Sequence, residues 1–423
     1  MQFDELTYAE YDEFARKSEL RNYLNSANAI RIKEENGWKT AFVGMRDDLG
    51  KLVAACGMSF VPVMRKYHYA YAQRGFLCDY HDYELVKEFS DALKDYLIKQ
   101  GIAYLRIDPY LEYQQLNQDG EVVPDGFNNQ GVIDNLKSLG YHHIGFYKGV
   151  VNDSQVRYMV VLDLKDQDEA SLLKAMDPKT RRNINRAIKL GVKTRQLAPD
   201  NLDEFMKLME FTAEKRDFSD MGLMAYQRQI KAFGNDNAQV IESYLNKDEF
   251  LKDINAERAK ENKVLADIKQ LLIETPGGSK ATKRKTQQLE VLKTIDEREK
   301  ETLALFNEYG DTIVLSAGYF VTYEDEMYYI SSGSYDQFRK YNGPYFIQWT
   351  MMREALKRGC NRYNFTGTSG IFDESANDYG VYEFKRRFNG YPIELIGEFT
   401  LECDSKQCAH IERLTKLKRL IKR

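Results

Sequence analysis

The stretches YLIKQGIAYLRIDP (Tyr96–Pro109) and EALKRGCNRYNFTG (Glu354–Gly367) share one plan: a helix end, a basic residue, a glycine and then a strand. Lys99 and Gly101 occupy the places of Lys357 and Gly359. A glycine is expected there because the chain leaves a helix through a left-handed residue before turning into a sheet. Around the first copy, strand-like runs at Trp38–Val43, Leu52–Val63 and Ala103–Ile107 alternate with a helix-period segment at Tyr83–Lys99. Around the second, Tyr345–Lys357 has helical periodicity and Arg362–Phe365 follows as a short strand. This alternation reads as an α/β protein containing two copies of one fold.

Between the copies, residues 246–309 change character, becoming rich in Lys, Glu, Leu, Ala and Gln, with Pro276, Gly277 and Gly278 as the one turn signal. Apolar residues recur at Leu251, Ile254, Leu265, Ile268 and Leu272, and again at Leu289, Leu292, Ile295, Leu303 and Phe306. The spacing predicts a helical hairpin with an approximate heptad seam, interrupted by charge at Arg258 and Glu261. At 1.5 Å per residue its arms project on the order of 40 Å.

With 423 residues, 43% of them hydrophobic and 30% charged, the chain is long enough for two or three packed units and is neither disordered nor membrane-spanning in composition. Its 61 Lys and Arg against 65 Asp and Glu give a net charge of -4, so any polyanionic partner must be held by local patches. The five cysteines contain no CxxC pair, the N-terminus lacks the features of a signal peptide, and a cytoplasmic setting is expected. No P-loop, GxSxG elbow or HExxH helix is present, and His142-His143 reads as a strand edge. Arg387, Gly390 and Pro392 only half match a pyrophosphate-cradling loop, since proline lacks the last backbone N–H.

The most uneven charge lies in KTRRNINRAIKLGVKTR (Lys179–Arg195), where Lys179, Arg181, Arg182, Arg186, Lys189, Lys193 and Arg195 occur without an acidic residue. Asp177-Pro178 supplies an N-cap and a first-turn proline, and Ile184 and Ile188 are expected on the inner face. Such a run suits a phosphate-bearing partner. A second cluster, Lys280, Lys283, Arg284 and Lys285, follows the hairpin turn. The last stretch, Asp404–Arg423, reads as a basic amphipathic helix, either docked on the body or facing a membrane surface or RNA. Arg362–Phe399 combines a strand, a glycine-rich turn at Gly367 and Gly370, and an aromatic and basic segment in which Lys385 follows Phe384. Apolar neighbours there strip water from the lysine and strengthen its charge.

Taken with LNSANAIRIK (Leu24–Lys33), LRIDPYLEY (Leu105–Tyr113), DPKTRRNINRAIKLGV (Asp177–Val192), PYFIQWTMMREALKRGCNRYNFTGTSG (Pro344–Gly370) and YGVYEFKRRFNGYPIELIGEF (Tyr379–Phe399), the chain resembles the Fem family of peptidoglycan interpeptide-bridge aminoacyltransferases, of the FemA, FemB, FemX and MurM/MurN type, over nearly its full length. The resemblance implies two GNAT-like acyltransferase domains with an inserted antiparallel coiled-coil hairpin. The first domain would span residues 1–150, with 396–423 returning to it, the second 151–245 and 310–395, and the arm 246–309. It also implies transfer of glycine, alanine or serine from aminoacyl-tRNA to a stem-peptide amine on lipid II or a UDP-linked muropeptide, with no metal or organic cofactor.

By the same resemblance Lys33 and Arg216 would contact the acceptor's phosphates, although Asn25 and Ala29 replace a family Gln and Trp beside Lys33. Tyr382 and Phe384 would lie on the acceptor side, Lys385 would stabilise developing negative charge, and Asp108 would line the acceptor site as base or orienting group. Arg181, Arg182, Arg186 and Lys189, with Lys280, Lys283, Arg284 and Lys285 at the arm tip, would hold tRNA. A non-catalytic tRNA- or membrane-binding relative and an acyl-CoA N-acyltransferase stand as the alternatives.

Overall fold

The protein is described by a computed structural model covering residues 1–64, 66–149, 154–216, 219–275 and 278–421, without the side chains of Arg216 and 418–421. Two sheets organise the chain. The first has seven strands in the order Gln2–Glu5, Lys39–Arg46, Leu52–Val63, Tyr67–Ala72, Tyr104–Ile107, Phe399–Glu402 and Tyr141–His143. The second has eight, ordered Glu112–Gln114, Tyr391–Leu395, Tyr158–Asp163, Arg362–Thr368, Glu326–Ser334, Thr312–Tyr323, Ala238–Asn246 and Lys193–Gln196.

The sequence repeat is a repeat of connectivity. In the first sheet an antiparallel run ends in Tyr67–Ala72, a helix follows at Tyr83–Lys99, and the chain returns at Tyr104–Ile107 parallel to that last strand. In the second, the run ends in Glu326–Ser334, a helix follows at Gly343–Lys357, and Arg362–Thr368 returns parallel to it. Among the described strands these two pairings alone are parallel. The Tyr83–Lys99 helix starts where Asp82 accepts the Leu85 N–H, and it buries Leu85, Val86, Phe89, Leu93 and Leu97 along one face. Burying side chains of this size contributes roughly 1.5–3 kcal/mol each. Gly101 and Gly359 end the two helices at φ +74° and +72°, the left-handed geometry their shared position requires.

The two sheets interlock. Glu112–Gln114 leaves the first half of the chain to edge the second sheet, and Phe399–Glu402 returns from the far end to sit between Tyr104–Ile107 and Tyr141–His143. Across the junction Arg21 pairs with Asp325 at 2.5 Å, and the Tyr110 hydroxyl donates to Glu326 at 2.9 Å.

The helices Lys247–Glu274 and Ser279–Tyr309 form the expected pair and pack on each other. Ile254, Leu265, Ile268, Ile295 and Phe306 are buried as the spacing predicts, whereas Leu289 is exposed and Phe250 is buried in front of Leu251. The two charged interruptions are cross-helix partners: Arg258 pairs with Glu299 and Asp296, and Glu261 accepts from Gln288. The C-terminal helix, Ser405–Ile421, docks on the first sheet through Cys408, which donates to the Ala103 carbonyl, and His410, which meets the Tyr67 hydroxyl at 2.6 Å. Ile411 is buried and Leu417 half-exposed; the side chains of Lys418 and Arg419, and all of Lys422 and Arg423, lie outside the described residues. Among the described residues no helix is long and apolar enough to cross a membrane.

Candidate active site

Lys385 lies on the short helix Tyr379–Arg386 and is only 4% exposed. Its ammonium donates to the Gly367 carbonyl at 2.6 Å and to the Thr366 carbonyl at 3.4 Å. Those carbonyls turn towards it because the pairing of Arg362–Thr368 with Tyr158–Asp163 is interrupted by a bulge between Asn364 and Gly367, where Thr366 adopts φ +59°. A β-branched residue in that region is strained, by about 1–3 kcal/mol. Burial pulls the Lys385 pKa down to about 7, opposed by the charge of Asp378. The Asp378 carboxylate is itself occupied, accepting from Thr368 Oγ1, the Ser369 N–H and Ser369 Oγ. A lysine so placed is a desolvated cation whose hydrogen-bond partners are neutral carbonyls.

The two glycines of the turn act by close approach. A Cβ on Gly367 would stand 2.6 Å from the Val156 side chain, and one on Gly370 would overlap the Tyr158 ring. Tyr382 is buried against Phe372, with its hydroxyl donated to the Gln118 carbonyl at 2.7 Å. Phe384 packs on Tyr345 and Phe388. Arg387 binds Glu383 at 3.1 Å.

Asp108 stands at the end of the Tyr104–Ile107 strand, the place in the first sheet that Thr366 takes in the second. It is buried; one oxygen accepts the Arg74 N–H at 3.0 Å and the other faces the Arg74 guanidinium at 3.3 Å. Burial raises its pKa to about 6 against the lowering effects of Arg74 and the Tyr71 hydroxyl. Arg74 also donates to the Val156 carbonyl at 2.9 Å, so Asp108 and Lys385 are joined through Arg74, Val156 and Gly367. Asn25 is buried and donates to the Arg74 carbonyl at 2.8 Å.

Lys33 lies in the last turn of the helix Ala27–Glu35, 5.7 Å from the Trp38 ring centre. It forms no ion pair among the described residues, and burial lowers its pKa. Arg216 ends the helix Asp203–Arg216, its side chain outside the described residues, while the neighbouring Lys215 is tied to Asp336. Ala29 is buried in a cluster with Leu202, Phe205, Tyr226 and Tyr319.

The basic helix is Pro178–Lys189, capped by Asp177 as expected. Thr180, Ile184 and Ala187 form its inner face, and Ile188, expected inside, is 52% exposed. Positions four and seven residues after Thr180 fall on one side, and Ile188 falls beyond it. Arg182, Arg186 and Lys189 are exposed and have no carboxylate partner among the described residues; Arg181 donates to the Lys174 carbonyl. The last two cations of the run behave differently: Lys193 pairs with Asp253 at 2.6 Å and Arg195 with the buried Glu242 at 2.5 Å. The expectation of an uncompensated run through Arg195 is therefore corrected to one ending at Lys189. Arg298 of the arm donates to the Lys189 carbonyl at 3.0 Å and pairs with Glu257, fixing the arm's base to the basic helix. Lys280, Lys283 and Arg284 are exposed near the turn, with Lys285 half-buried.

Asn364 donates to Glu326 at 2.8 Å and to the Tyr110 hydroxyl at 3.1 Å, and sequence reasoning singled out none of these three residues, nor Arg74. The one local signal was the glycine at Gly367, which marks the bulge.

The FemAB family model matches residues 6–416. The chain is 35% identical over 418 residues to Aminoacyltransferase FemA of Staphylococcus aureus strain bovine RF122 / ET3-1, covering 99% of each chain, and the same figures hold for strain N315. A solved structure of FemX, 24% identical, superposes with a TM-score of 0.83 over 95% of this chain and 97% of that one. With a family model spanning nearly every residue and relatives matched end to end, the chain belongs to the FemAB family.

Proposed function

We propose that the protein transfers glycine, alanine or serine from aminoacyl-tRNA to the stem-peptide amine of a peptidoglycan precursor, lipid II or a UDP-linked muropeptide, and so builds the interpeptide bridge. The observation that carries this reading is Lys385, a buried cation held by two backbone carbonyls inside a chain matched end to end by aminoacyltransferases.

The chemistry asks little of the protein. The acceptor amine attacks the aminoacyl ester carbonyl, the new C–N bond forms, and the C–O bond to the terminal ribose breaks, leaving a ribose hydroxyl. Alignment of two bulky substrates supplies much of the rate, and a fixed positive group near the tetrahedral oxyanion supplies more. Lys385 fills that role: with a pKa near 7, it holds its proton more firmly as negative charge approaches. Asp108, raised to about 6, is suited to take the amine's proton near neutral pH.

Two GNAT-like units with an inserted coiled-coil arm are the architecture that fits these roles. Arg181, Arg182, Arg186 and Lys189, continued by Lys280, Lys283, Arg284 and Lys285, face tRNA phosphates. Lys33, desolvated and without a carboxylate partner among the described residues, waits with Arg216 for the acceptor's phosphates. Tyr382 and Phe384 shape the acceptor side through the helix they pack. The C-terminal helix rests on the cytoplasmic face of the membrane, where lipid II lies.

The test is transfer of radiolabelled glycine, alanine or serine from charged tRNA to purified lipid II, with wild type beside Lys385→Ala. Transfer by the wild type, abolished in the variant, establishes the reaction and identifies the donor. No transfer from any donor despite tRNA binding would replace this reading with a binding protein that has lost the reaction.

A further inference from the structure

We infer that Asn364 is a positioning residue for Lys385: its side chain fixes the left-handed turn at Thr366 that aims two carbonyls at the lysine, and Glu326 and Tyr110 fix Asn364 in turn. The inference rests on the role given to Lys385 above.

Asn364 is fully buried, and each end of its amide has a defined partner. The Nδ2 group donates to Glu326 Oε1 at 2.8 Å and to the Tyr110 hydroxyl at 3.1 Å. The Oδ1 atom accepts the Thr366 N–H at 2.7 Å. A carboxylate can only accept, so Glu326 sets which way the amide points, and the opposite orientation would face oxygen to oxygen at one end and N–H to N–H at the other. The Asn364–Thr366 bond is an Asx-type contact, in which a side-chain oxygen captures the N–H two residues on and stabilises a turn that the backbone alone would not choose. A second hold comes from Thr366 Oγ1, which donates to the Tyr329 carbonyl at 2.9 Å.

Strain at a β-branched residue persists only where the surroundings over-determine it. Here the purpose of that strain is visible: the Thr366 and Gly367 carbonyls both accept from Lys385. If Thr366 relaxes to extended geometry, the strand resumes its pairing, the carbonyls turn into the sheet, and the ammonium is left without partners. Asp378, the charged group facing Lys385, already accepts from Thr368 and Ser369.

The anchor reaches into the other half of the molecule. Glu326 Oε1 accepts from Tyr110 at 2.9 Å and its Oε2 from Tyr328 at 2.7 Å, and the Tyr328 hydroxyl accepts from Asn22. Tyr110 lies two residues after Asp108. The loop that carries Asp108 therefore sets the turn that carries the carbonyls of Lys385, and the two lobes are held in one register at the point where their chemistry meets.

The test compares Asn364→Ala with Tyr363→Phe, which removes a buried hydrogen bond of 2.7 Å to Gln348 from the adjacent residue of the same strand. Steady-state transfer is measured against pH, with the melting temperature alongside. Asn364→Ala is expected to lower kcat by about tenfold or more, to keep KM for charged tRNA within about twofold, and to move the basic limb of the profile to lower pH, because carbonyls no longer hold the proton on Lys385. Tyr363→Phe is expected to lose thermal stability without moving that limb. If Asn364→Ala fails to fold, Tyr110→Phe, which removes the hydroxyl partner of the amide nitrogen, is expected to give a smaller change in the same direction. An unmoved basic limb in the Asn364 or Tyr110 variant, with Lys385→Ala inactive, overturns this inference alone. Full transfer by Lys385→Ala overturns the reading on which it rests.

Discussion

Arg74 donates to the Val156 carbonyl at 2.9 Å with the same guanidinium that faces Asp108 at 3.3 Å, and Val156 packs where a Cβ on Gly367 would stand. One side chain thus touches both halves of the proposed chemistry. The acid is held by its charge, and the bulge under Lys385 is held by its second hydrogen bond.

Replacing Arg74 by Met removes both, and the pH profile reads the first. In Arg74→Met the burial that raises Asp108 persists while the opposing charge is removed, so its pKa climbs above its present value of about 6. A base with a raised pKa is protonated over more of the acidic range, so the acidic limb of kcat/KM moves to higher pH and transfer at pH 6 falls more than transfer at pH 8. Arg74→Lys keeps the charge and is expected to leave the limb near its wild-type place. An unmoved limb in Arg74→Met would mean that Asp108 orients the amine without taking its proton. Breaking a buried pair costs about 3–5 kcal/mol, so melting temperature is recorded alongside the rates.

The basic helix yields a prediction that the charge count alone does not. Arg182, Arg186 and Lys189 are unpaired among the described residues, while Lys193 and Arg195 are neutralised by Asp253 and Glu242. Each phosphate that the protein no longer neutralises lowers the slope of log K against log salt by about 0.7–1, so the triple alanine variant of the first three should reduce the slope of tRNA binding by roughly 2–3. Lys193→Ala with Arg195→Ala should leave it almost unchanged. Filter binding at several salt concentrations decides the matter, and equal effects from the two sets would remove the helix from the tRNA surface.

What could be read in advance divides along the range of the forces involved. The paired helix ends at Lys99-Gly101 and Lys357-Gly359 were legible because helix termination is local, and both glycines adopt the left-handed angle their place demands. The long helical pair was legible from apolar spacing, yet Arg258 and Glu261 looked like breaks in the seam, because their partners at Asp296, Glu299 and Gln288 lie on the other helix. The pairing of Arg195 with Glu242 and of Asn364 with Tyr110 spans 47 and 254 residues, and no periodicity carries such information. Lys385 came forward through its aromatic neighbours, but the strained turn that feeds it came from tertiary packing.

Gly367 tests the mechanical link directly. A Cβ there would meet Val156 at 2.6 Å, and Val156 is held from behind by Arg74. Gly367→Ala is expected to push the strands apart locally, cost about 1–3 kcal/mol through overpacking, and lower kcat more than it raises KM, since the displaced carbonyl is the one nearest Lys385. The double variant with Val156→Ala opens the space again and should recover a large part of the rate. Failure of the second change to restore either stability or kcat would show that the close approach of Val156 to Gly367 does not govern the site.

The last prediction concerns stability, where Lys385 should act against the fold at the pH at which it works. Burial lowers its pKa from 10.5 to about 7, so the folded protein sheds this proton more readily than the unfolded chain. The group's contribution to stability is therefore fully present above about pH 10.5, declines as pH falls, and is gone once pH passes below about 7. Lys385→Met, inactive in transfer, removes this dependence. Subtracting its unfolding free energy from that of the wild type should give a difference that rises with pH between 7 and 10, at a slope approaching about 1.4 kcal/mol per pH unit in the middle of that window. Urea unfolding of both proteins at pH 6, 7, 8 and 9 measures it. A difference that stays flat would place the folded-state pKa of Lys385 near its ordinary value, and the lysine would then be a fully charged group throughout catalysis, in need of no approaching substrate to hold its proton.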